Sequence, residues 1–381
     1  MARNITVGID VGSFATKVVV TESTSREAPK IIGTGMAESR GIRQGYIVNQ
    51  EEAIKSIKKA AAEAEKNSGV KIRKAVLAIG GISVGSEITF GTAIISRADK
   101  EVTELDVNRA ISESEDVVQV VNKRILHVIP LGYKLDNQEV LGRPDGMKGI
   151  KLEVKTLFVT CLEQHIDDSV NALRKADIEV VDVIASPLAL AMAVLAPKER
   201  QVGSVLIDIG SETVNLAVFE NNALHSLHVF GIGSGDVTKD VALGFKISLD
   251  EAESLKLGRV MSEYPKKRLD DMIEARFEDI FDMVEEYLKK IGRSGLLPAG
   301  AILAGGGANY PEIKNIAKHI LKLPVEVGTM KIDTSKKMIN PAFYVAAGLA
   351  FSESGTNFQT NNSPWQSVKR SVRSLLDQLL P

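Results

Sequence analysis

Nearly the same five-residue sequence occurs twice in this chain, once near its start and once past its middle. Residues 9–13 read IDVGS and residues 207–211 read IDIGS, and an apolar run follows each copy, at 18–20 (VVV) and at 216–218 (LAV). A strand, a tight turn and a second strand are therefore predicted at both places. Because any hairpin favours Asp and Gly at its turn, one copy alone would indicate little more than a hairpin. Two copies with the same continuation predict a duplicated chain with two related lobes.

A glycine loop adds a third element. Residues 301–304 (AILA) are predicted to form a strand that runs into 305–307 (GGG), with a helix beginning near Pro311. Glycines let backbone N–H groups approach phosphate oxygens, because no Cβ intervenes. In the first hairpin, Ser13 offers a hydroxyl and Lys17 offers a cation to the same kind of ligand.

The two hairpins also carry one aspartate each at the end of the first strand, Asp10 and Asp208. Carboxylates are suitable partners for Mg²⁺, which is commonly held through its water molecules. Two lobes that each contribute a hairpin would clamp a nucleotide between them. A central cleft for a nucleotide with Mg²⁺ is therefore predicted.

Strand and helix patterns alternate along most of the chain, which predicts an α/β protein with buried sheets. Residues 50–66 have the spacing of an amphipathic helix, and residues 75–79 are predicted as a short buried strand. Past residue 83 the pattern becomes mainly extended, with one helix after Thr103, which predicts a small inserted α+β unit. The predicted units are a first lobe at 1–83 and 163–196, the inserted unit at 84–162, a second lobe at 197–352 with an outer part at about 232–298, a flexible linker at 353–363 and a terminal helix at 364–381.

Charge and cysteine content exclude several classes of function. The chain has 47 Lys and Arg against 49 Asp and Glu, a formal net charge of −2, which argues against nucleic-acid binding by bulk charge. Cys161 is the single cysteine, so neither a disulfide framework nor a cysteine-based zinc site is expected. The sequence also lacks the patterns of a signal peptide and of a transmembrane helix, and a cytosolic location is expected.

Taken together, the hairpins and the glycine loop resemble the actin-like ATPase superfamily. Within it, the chain is most similar to the bacterial cell-division family FtsA, since residues 39–49 (SRGIRQGYIVN) resemble that family's Ser-Arg-Gly segment and residues 125–136 (ILHVIPLGYKLD) one of its strands. The unit at 84–162 falls where the family carries its own subdomain, and residues 250–258 (DEAESLKLG) resemble the helix that contacts adenosine. The resemblance implies a two-lobed, actin-like protein that binds ATP, polymerises and tethers FtsZ filaments to the membrane.

Carried over residue by residue, the resemblance implies a nucleotide site. Its residues would be Asp10, Gly12, Ser13, Lys17, Asp208, Gly210, Ser211, Thr213, Gly233, Glu253, Lys256, Gly305, Gly306 and Gly307. Asp10 and Asp208 would serve Mg²⁺, whereas Glu253 and Lys256 would contact the nucleoside. One departure concerns the second hairpin, where the family's usual Gly-Gly-Thr is replaced by Ser211-Glu212-Thr213. Since Glu212 adds a negative charge near an anionic ligand unless it points away, slow hydrolysis at most is expected, and no catalytic base is assigned.

The end of the chain has a composition of its own. Residues 352–363 (SESGTNFQTNNS) are almost free of apolar side chains and predict a flexible linker. Beyond Pro364, helical spacing predicts an apolar face and a basic face. The apolar face comprises Trp365, Val368, Val372, Leu375, Leu376 and Leu379, and the basic face Lys369, Arg370 and Arg373. This pattern favours a helix lying in the surface of an anionic membrane over a helix docked on the protein itself. The resemblance implies that this surface is the cytoplasmic face of the membrane at the division site.

A long amphipathic helix is predicted at about 269–291, with one apolar and one acidic face. Such a helix is ordinary in a protein core. In the FtsA family, however, the corresponding region receives the C-terminal tail of FtsZ, and Arg276 matches a family arginine. The resemblance therefore implies Arg276 as an FtsZ contact, alongside self-association and other division partners.

Three alternatives compete with this interpretation. Residues 81–85 (GISVG) match the spelling of a nucleophile elbow, but a strand-like run follows where the elbow needs a helix, so a serine hydrolase is not expected. A docking protein like PilM of type IV pilus machinery would share the hairpins and the inserted unit, although not the basic terminal helix. A small-molecule kinase of the same superfamily would use the same cleft, yet no acid outside the hairpins is placed as a base for a substrate hydroxyl.

Overall fold

The first part of the chain forms strands and one long helix that packs on their sheet. In a computed structural model, the described residues are 4–24, 27–118, 121–259, 264–331 and 339–352. The first elements are β1 (Asn4–Val11), β2 (Ala15–Thr24), β3 (Glu27–Glu38), β4 (Ile42–Arg43), β5 (Tyr46–Ile47), α1 (Gln50–Ser68) and β6 (Lys74–Ile79). Helix α1 begins where the Asn49 side chain accepts a hydrogen bond from the Glu52 N–H, and it ends at Gly69, whose φ is +70°.

The inserted unit follows β6 directly. Its elements are β7 (Gly85–Ile94), α2 (Glu104–Asp116), β8 (Lys123–Leu135), β9 (Gln138–Val140) and β10 (Lys151–Leu162). The four strands form an antiparallel sheet in the order β7-β10-β8-β9, and α2 covers one face of it. Leu152 and Val154 of β10 pack in a separate small core with Val107 of α2.

The chain then returns to the first lobe and continues into the second. The remaining elements are α3 (Glu163–Lys175), β11 (Glu179–Ala185), α4 (Ser186–Val194), α5 (Pro197–Val202), β12 (Ser204–Ile209), β13 (Val214–Glu220), β14 (Ala223–Phe230), α6 (Ser234–Phe245), α7 (Leu249–Lys256), α8 (Lys266–Lys290), β15 (Ala301–Ala304), α9 (Ile313–Leu321), β16 (Val325–Val327) and α10 (Tyr344–Ser352). Short 3-10 turns occupy Gly306–Asn309 and Pro341–Phe343.

The two lobes have the same sheet topology, as the repeated sequence predicts. The first sheet has the order β11-β6-β1-β2-β3 and the second, read from its other edge, has the order β16-β15-β12-β13-β14. In each sheet an antiparallel hairpin, β1–β2 or β12–β13, is extended by a parallel neighbour, β6 or β15. The predicted duplicated, two-lobed α/β fold with a small inserted α+β unit is therefore confirmed.

One buried helix, α4, joins the lobes, and a second buried helix, α10, packs against it. Helix α4 packs between β11 of the first sheet and β13 of the second. Helix α10 crosses α4 so closely that a Cβ on Gly348 would lie 1.8 Å from the Ala189 carbonyl oxygen. The predicted boundaries assign α10 to the second lobe at 197–352, but it packs against β1, β2 and α4 of the first lobe. This part of the division is corrected, because α10 is buried almost all round and fits the apolar surface beneath the first sheet.

Candidate nucleotide-binding cleft

The repeated aspartates occupy equivalent positions in the two hairpins. Asp10 of β1 is paired across the hairpin with Lys17, and the Lys17 Nζ lies 3.0 Å from Asp10 Oδ2. Asp208 of β12 is paired in the same way with Asn215, whose Nδ2 donates to Asp208 Oδ2 at 3.0 Å. The duplication thus replaces the ammonium group of the first hairpin by an amide in the second.

The electrostatic environment of Asp208 differs from that of an ordinary surface carboxylate. The pKa of Asp208 is raised to about 6, mainly by burial and to a lesser extent by the nearby Asp10 carboxylate, while the Asn215 hydrogen bond and the Lys17 charge oppose the shift. Two carboxylates that share a partly buried space repel each other. A divalent cation placed between them would favour the ionised form of Asp208.

The glycine loop comes close to the second hairpin. Gly305 has φ +83° and ψ 176°, a conformation that essentially only glycine adopts. A Cβ at this position would lie 2.5 Å from both Asp208 Oδ1 and the Ile209 carbonyl oxygen. A Cβ on Gly306, by contrast, would meet no atom within 4 Å. The absence of a side chain at Gly305 therefore lets the loop pack against the second hairpin, whereas Gly306 faces open space. The helix expected near Pro311 begins at Ile313.

The turn of the second hairpin is supported by neighbouring backbone. The N–H of Gly210 donates to the Thr213 carbonyl oxygen at 2.9 Å, which closes the second turn. The start of α6 binds the same turn, since Ser234 N–H donates to the Gly210 carbonyl oxygen and Gly235 N–H to that of Ser211, at 2.8 and 2.7 Å. Gly233 caps α6, and a Cβ there would lie 2.5 Å from the Ser211 carbonyl oxygen.

The first turn lies beside Lys17. A Cβ on Gly12 would lie 3.0 Å from the Lys17 Nζ, and the Ser13 hydroxyl oxygen accepts a hydrogen bond from the Gly45 N–H at 3.1 Å. The missing side chain at Gly12 therefore leaves the ammonium group accessible from the turn. Ser13 already has one backbone partner, and its own hydroxyl hydrogen is available to a ligand.

The residues expected at the nucleoside interact with α6. Glu253 and Lys256 form an ion pair at 2.6 Å, and the Lys256 Nζ also donates to Thr238 Oγ1 at 2.8 Å and to the Ser234 carbonyl oxygen at 3.1 Å. These bonds fix α7 beside α6, next to the second hairpin. The nucleoside role of Glu253 and Lys256 stays a prediction.

Arg276 lies on α8 at its contact with α6. Its Nε is 2.6 Å from Asp240 Oδ2, its Nη2 is 3.1 Å from Asp240 Oδ1, and Asp279 lies 3.1 Å away on the same helix. The hydrogen bond to Asp240 raises the pKa of the Arg276 guanidinium above its usual value. The Arg276 guanidinium is therefore engaged within the second lobe, and its FtsZ role stays a prediction. The predicted membrane-facing residues, Trp365 to Leu379, lie outside the described residues.

The donor set at the cleft fits a Mg²⁺ ion bound with a phosphate ligand. Asp10 and Asp208 supply two carboxylates, Lys17 a cation, and the turns and glycine loop supply backbone N–H groups. Within the described ranges, no three His, Cys, Asp or Glu side chains form a cluster suited to a metal ion. Two carboxylates alone suit Mg²⁺ that keeps most of its water molecules and phosphate ligands.

Three features of the site were missed at the level of sequence. Asn215 stands seven positions after Asp208, as Lys17 does after Asp10, so aligning the two repeats in full would have identified it. The sequence does not indicate the direction of Glu212, whose carboxylate points towards the first lobe and meets Arg43 and the Gln44 N–H. No sequence pattern signals that contact.

The third is a Ser-His pair whose histidine is buried. The Ser83 hydroxyl lies 2.6 Å from Nδ1 of His165 and 3.2 Å from the Cys161 sulfur. Residues 85–94 continue as β7, so the strand that argues against a nucleophile elbow is confirmed. Burial lowers the pKa of His165 and raises that of Cys161 to about 11, which keeps both groups neutral near pH 7. This group is a structural support on the first lobe.

The fold and the cleft define the class of protein. Among solved structures, the chain is similar to the PilM-PilN type IV pilus biogenesis complex, with a TM-score of 0.69 and 19% identity over 92% of this chain and 98% of that one. It is also similar to MreB5 of Spiroplasma citri bound to ADP, with a TM-score of 0.53 and 13% identity over 92% of this chain and 96% of that one. At these identities the likeness concerns the fold, which is that of a two-lobed, actin-like protein.

The sequence relatives are more specific. The chain is 32% identical to the cell division protein FtsA of Bacillus subtilis over 85% of this chain and 78% of the relative, and 30% identical to that of Pseudomonas aeruginosa over 84% and 82%. Residues 205–348 match the family model of cell division protein FtsA, and residues 85–160 match the SHS2 domain inserted in FtsA. The chain belongs to the FtsA family of cell-division proteins.

Proposed function

We propose that this cell-division protein binds Mg·ATP in the cleft between its lobes and uses the nucleotide as a conformational element. The observation that carries the proposal is the convergence of three loops: Asp10 and Lys17 on the first hairpin, Asp208 on the second, and the glycine loop against Asp208. Residues distant in sequence meet here with the charges that a metal-bound phosphate requires. Asp10 and Asp208 would hold the hydrated Mg²⁺, which would neutralise phosphate charge.

We further propose the assembly that the FtsA relatives suggest. The chain would self-associate into filaments, bind the C-terminal tail of FtsZ at the second lobe through Arg276, meet other division proteins, and attach to an anionic membrane through residues 364–381. None of the helices within the described ranges is long and apolar enough to cross a bilayer. Attachment by a short surface helix is reversible, so filament formation would strengthen it by avidity.

Calorimetry of Mg·ATP binding tests the nucleotide proposal. Asp208→Ala should weaken binding about tenfold or more, because the metal loses one carboxylate and Asp10 no longer has its counterpart. Asp271→Ala on α8 is the matched control, since that carboxylate is exposed and is not part of the cleft. Equal affinities for the wild type and the Asp208 variant would reject the site.

Co-sedimentation with anionic vesicles tests the membrane proposal. Helical spacing puts Leu376 within the apolar stripe and Ser374 on the opposite side. Leu376→Glu should abolish sedimentation, whereas Ser374→Glu, with the same change of charge, should reduce it only modestly. Equal loss in both variants would mean that charge alone governs binding, and undiminished binding in both would remove the anchor from the proposal.

A further inference from the structure

A two-residue turn of the first lobe reaches into the cleft. Strands β4 and β5 form a small hairpin whose turn residues, Gln44 and Gly45, have φ of +48° and +87°. Two successive residues with positive φ are typical of the tight turns that join twisted strands. The tip of this hairpin lies between the two predicted phosphate hairpins, and successive N–H groups of the turn bind one hairpin each.

The first lobe holds this turn firmly. The Gly45 N–H donates to Ser13 Oγ at 3.1 Å, and the Ile82 N–H donates to the Gln44 carbonyl oxygen at 3.3 Å. The ring of Tyr46 stacks on the ring of His165 with centroids 4.7 Å apart. The Ser83–His165 pair thus supports the base of the turn, and the turn therefore moves with the first lobe.

The second lobe binds the other side of the same turn. The Gln44 N–H donates to Glu212 Oε2 at 2.6 Å, and Arg43 Nη1 lies 2.7 Å from Glu212 Oε1. The Gln44 side chain adds a hydrogen bond from Nε2 to the Gly231 carbonyl oxygen at 3.2 Å. Both oxygens of Glu212 are therefore used, and both by the first lobe.

The two bonds to Glu212 differ in strength. The Glu212 side chain is 19% exposed, whereas that of Arg43 is 74% exposed. An exposed ion pair is weakened by water and by salt, whereas a partly buried N–H bond to a carboxylate is strong. The Gln44 amide should therefore contribute more to the contact than the Arg43 guanidinium does.

The turn between β4 and β5 lies against the first lobe's counterpart of the glycine loop. Strand β6 occupies in the first sheet the position of β15 in the second, so Gly80 and Gly81 follow β6 as the glycine loop follows β15. A Cβ on Gly45 would lie 2.5 Å from the Gly81 Cα. The counterpart of the glycine loop is thus covered by the chain's own turn, which leaves the second lobe's loop as the one that faces the open cleft.

We propose that Arg43, Gln44 and Glu212 form an interlobe clasp that keeps the cleft closed at its floor when no nucleotide is bound. In the clasp, the Glu212 carboxylate draws the two hairpins together, as a bound phosphate would. Opening the lobes breaks the bonds to Glu212, so the clasp also slows nucleotide release. This second consequence rests on the proposed nucleotide site, whereas closure of the empty protein does not.

Amide hydrogen exchange of the full-length, nucleotide-free protein tests the clasp. Peptides covering 41–47 and 210–213 report on the two sides of the contact. Glu212→Ala should raise exchange in the first peptide about ten- to hundredfold, because the Gln44 amide loses its charged acceptor. Glu212→Gln, which keeps an acceptor, should give a smaller increase, and Arg43→Ala only about two- to fivefold.

Arg40→Ala is the matched control, since Arg40 pairs with Glu38 within the first lobe. It should leave exchange at both peptides unchanged. Exchange in Glu212→Ala within twofold of the wild type, or an equal change in the Arg40 variant, would overturn the clasp. The double variant Arg43→Ala/Glu212→Ala should exchange no faster than Glu212→Ala, because both act through one contact; additive effects would also overturn it.

Release of a fluorescent ATP analogue with Mg²⁺ separates the clasp from the nucleotide proposal. Faster release from Glu212→Ala than from the wild type supports both. If the wild-type protein does not bind the analogue but the exchange pattern holds, the nucleotide proposal fails and the clasp stands. If binding is normal and exchange is unchanged in the Glu212 variants, the clasp fails and the nucleotide proposal stands.

Discussion

Adjacent glycines of the third loop should respond very differently to the same substitution. Gly305→Ala places a Cβ 2.5 Å from Asp208 Oδ1 and from the Ile209 carbonyl oxygen, on a backbone with φ +83° and ψ 176°. The backbone strain costs about 1 to 3 kcal/mol and the overpacking a further 1 to 3 kcal/mol. A loss of about 2 to 6 kcal/mol is a large share of the stability of a typical domain.

Gly306→Ala adds the same methyl group where no atom lies within 4 Å. The unfolding free energy should therefore change by less than about 1 kcal/mol. Because this residue faces the open cleft, the added Cβ should instead weaken Mg·ATP binding.

Urea unfolding of the nucleotide-free protein and calorimetry with Mg·ATP measure the two effects separately. Gly305→Ala should shift the urea midpoint strongly, and Gly306→Ala should mainly lower the affinity. The reasoning would be refuted by a Gly305 variant as stable as the wild type, or by equal destabilisation in both variants. Either result would mean that the loop does not abut the second hairpin.

Three other predictions test separate parts of the structure. The pKa of Asp208 is raised to about 6, mainly by burial, so the stability that its protonated form contributes is present below pH 4 and is lost as the pH rises through 6. Relative to the wild type, the unfolding free energy of Asp208→Asn should therefore rise by about 2 kcal/mol between pH 4 and pH 7.5 in metal-free urea unfolding. A difference between the two proteins that stays constant with pH would contradict the shift. Arg276→Glu should weaken binding of an FtsZ tail peptide in fluorescence anisotropy, whereas Asp240→Asn, which removes one of the two carboxylates that pair with the guanidinium, should strengthen it. No change in either variant would reject Arg276 as the contact. Gly348→Ala should lower the melting temperature by several degrees, since its Cβ would lie 1.8 Å from the Ala189 carbonyl oxygen, and an unchanged melting temperature would argue against the close crossing of α4 and α10.

Much of the fold follows from short-range patterns in the sequence. The first hairpin is a local feature, because its strand partners Asp10 and Lys17 are only seven residues apart, and the second repeats the first. The helix expected at 50–66 occupies Gln50–Ser68, because its apolar spacing and its terminal Asn49 and Gly69 are local signals. The inserted unit was recognised by its change of pattern.

Only the tertiary structure decided where two other features belong. Glu212 meets the Gln44 N–H across 168 residues of sequence, and nothing near Glu212 in the chain indicates whether it turns towards a ligand or towards the first lobe. Helix α10 is apolar all round, so it presents no polar face that would indicate which lobe it covers. Sequence periodicity records which face of an element is buried, whereas the partner of that face is set by packing between distant elements. The pentapeptide repeat therefore determined that there are two lobes, and long-range contacts determined how they are joined.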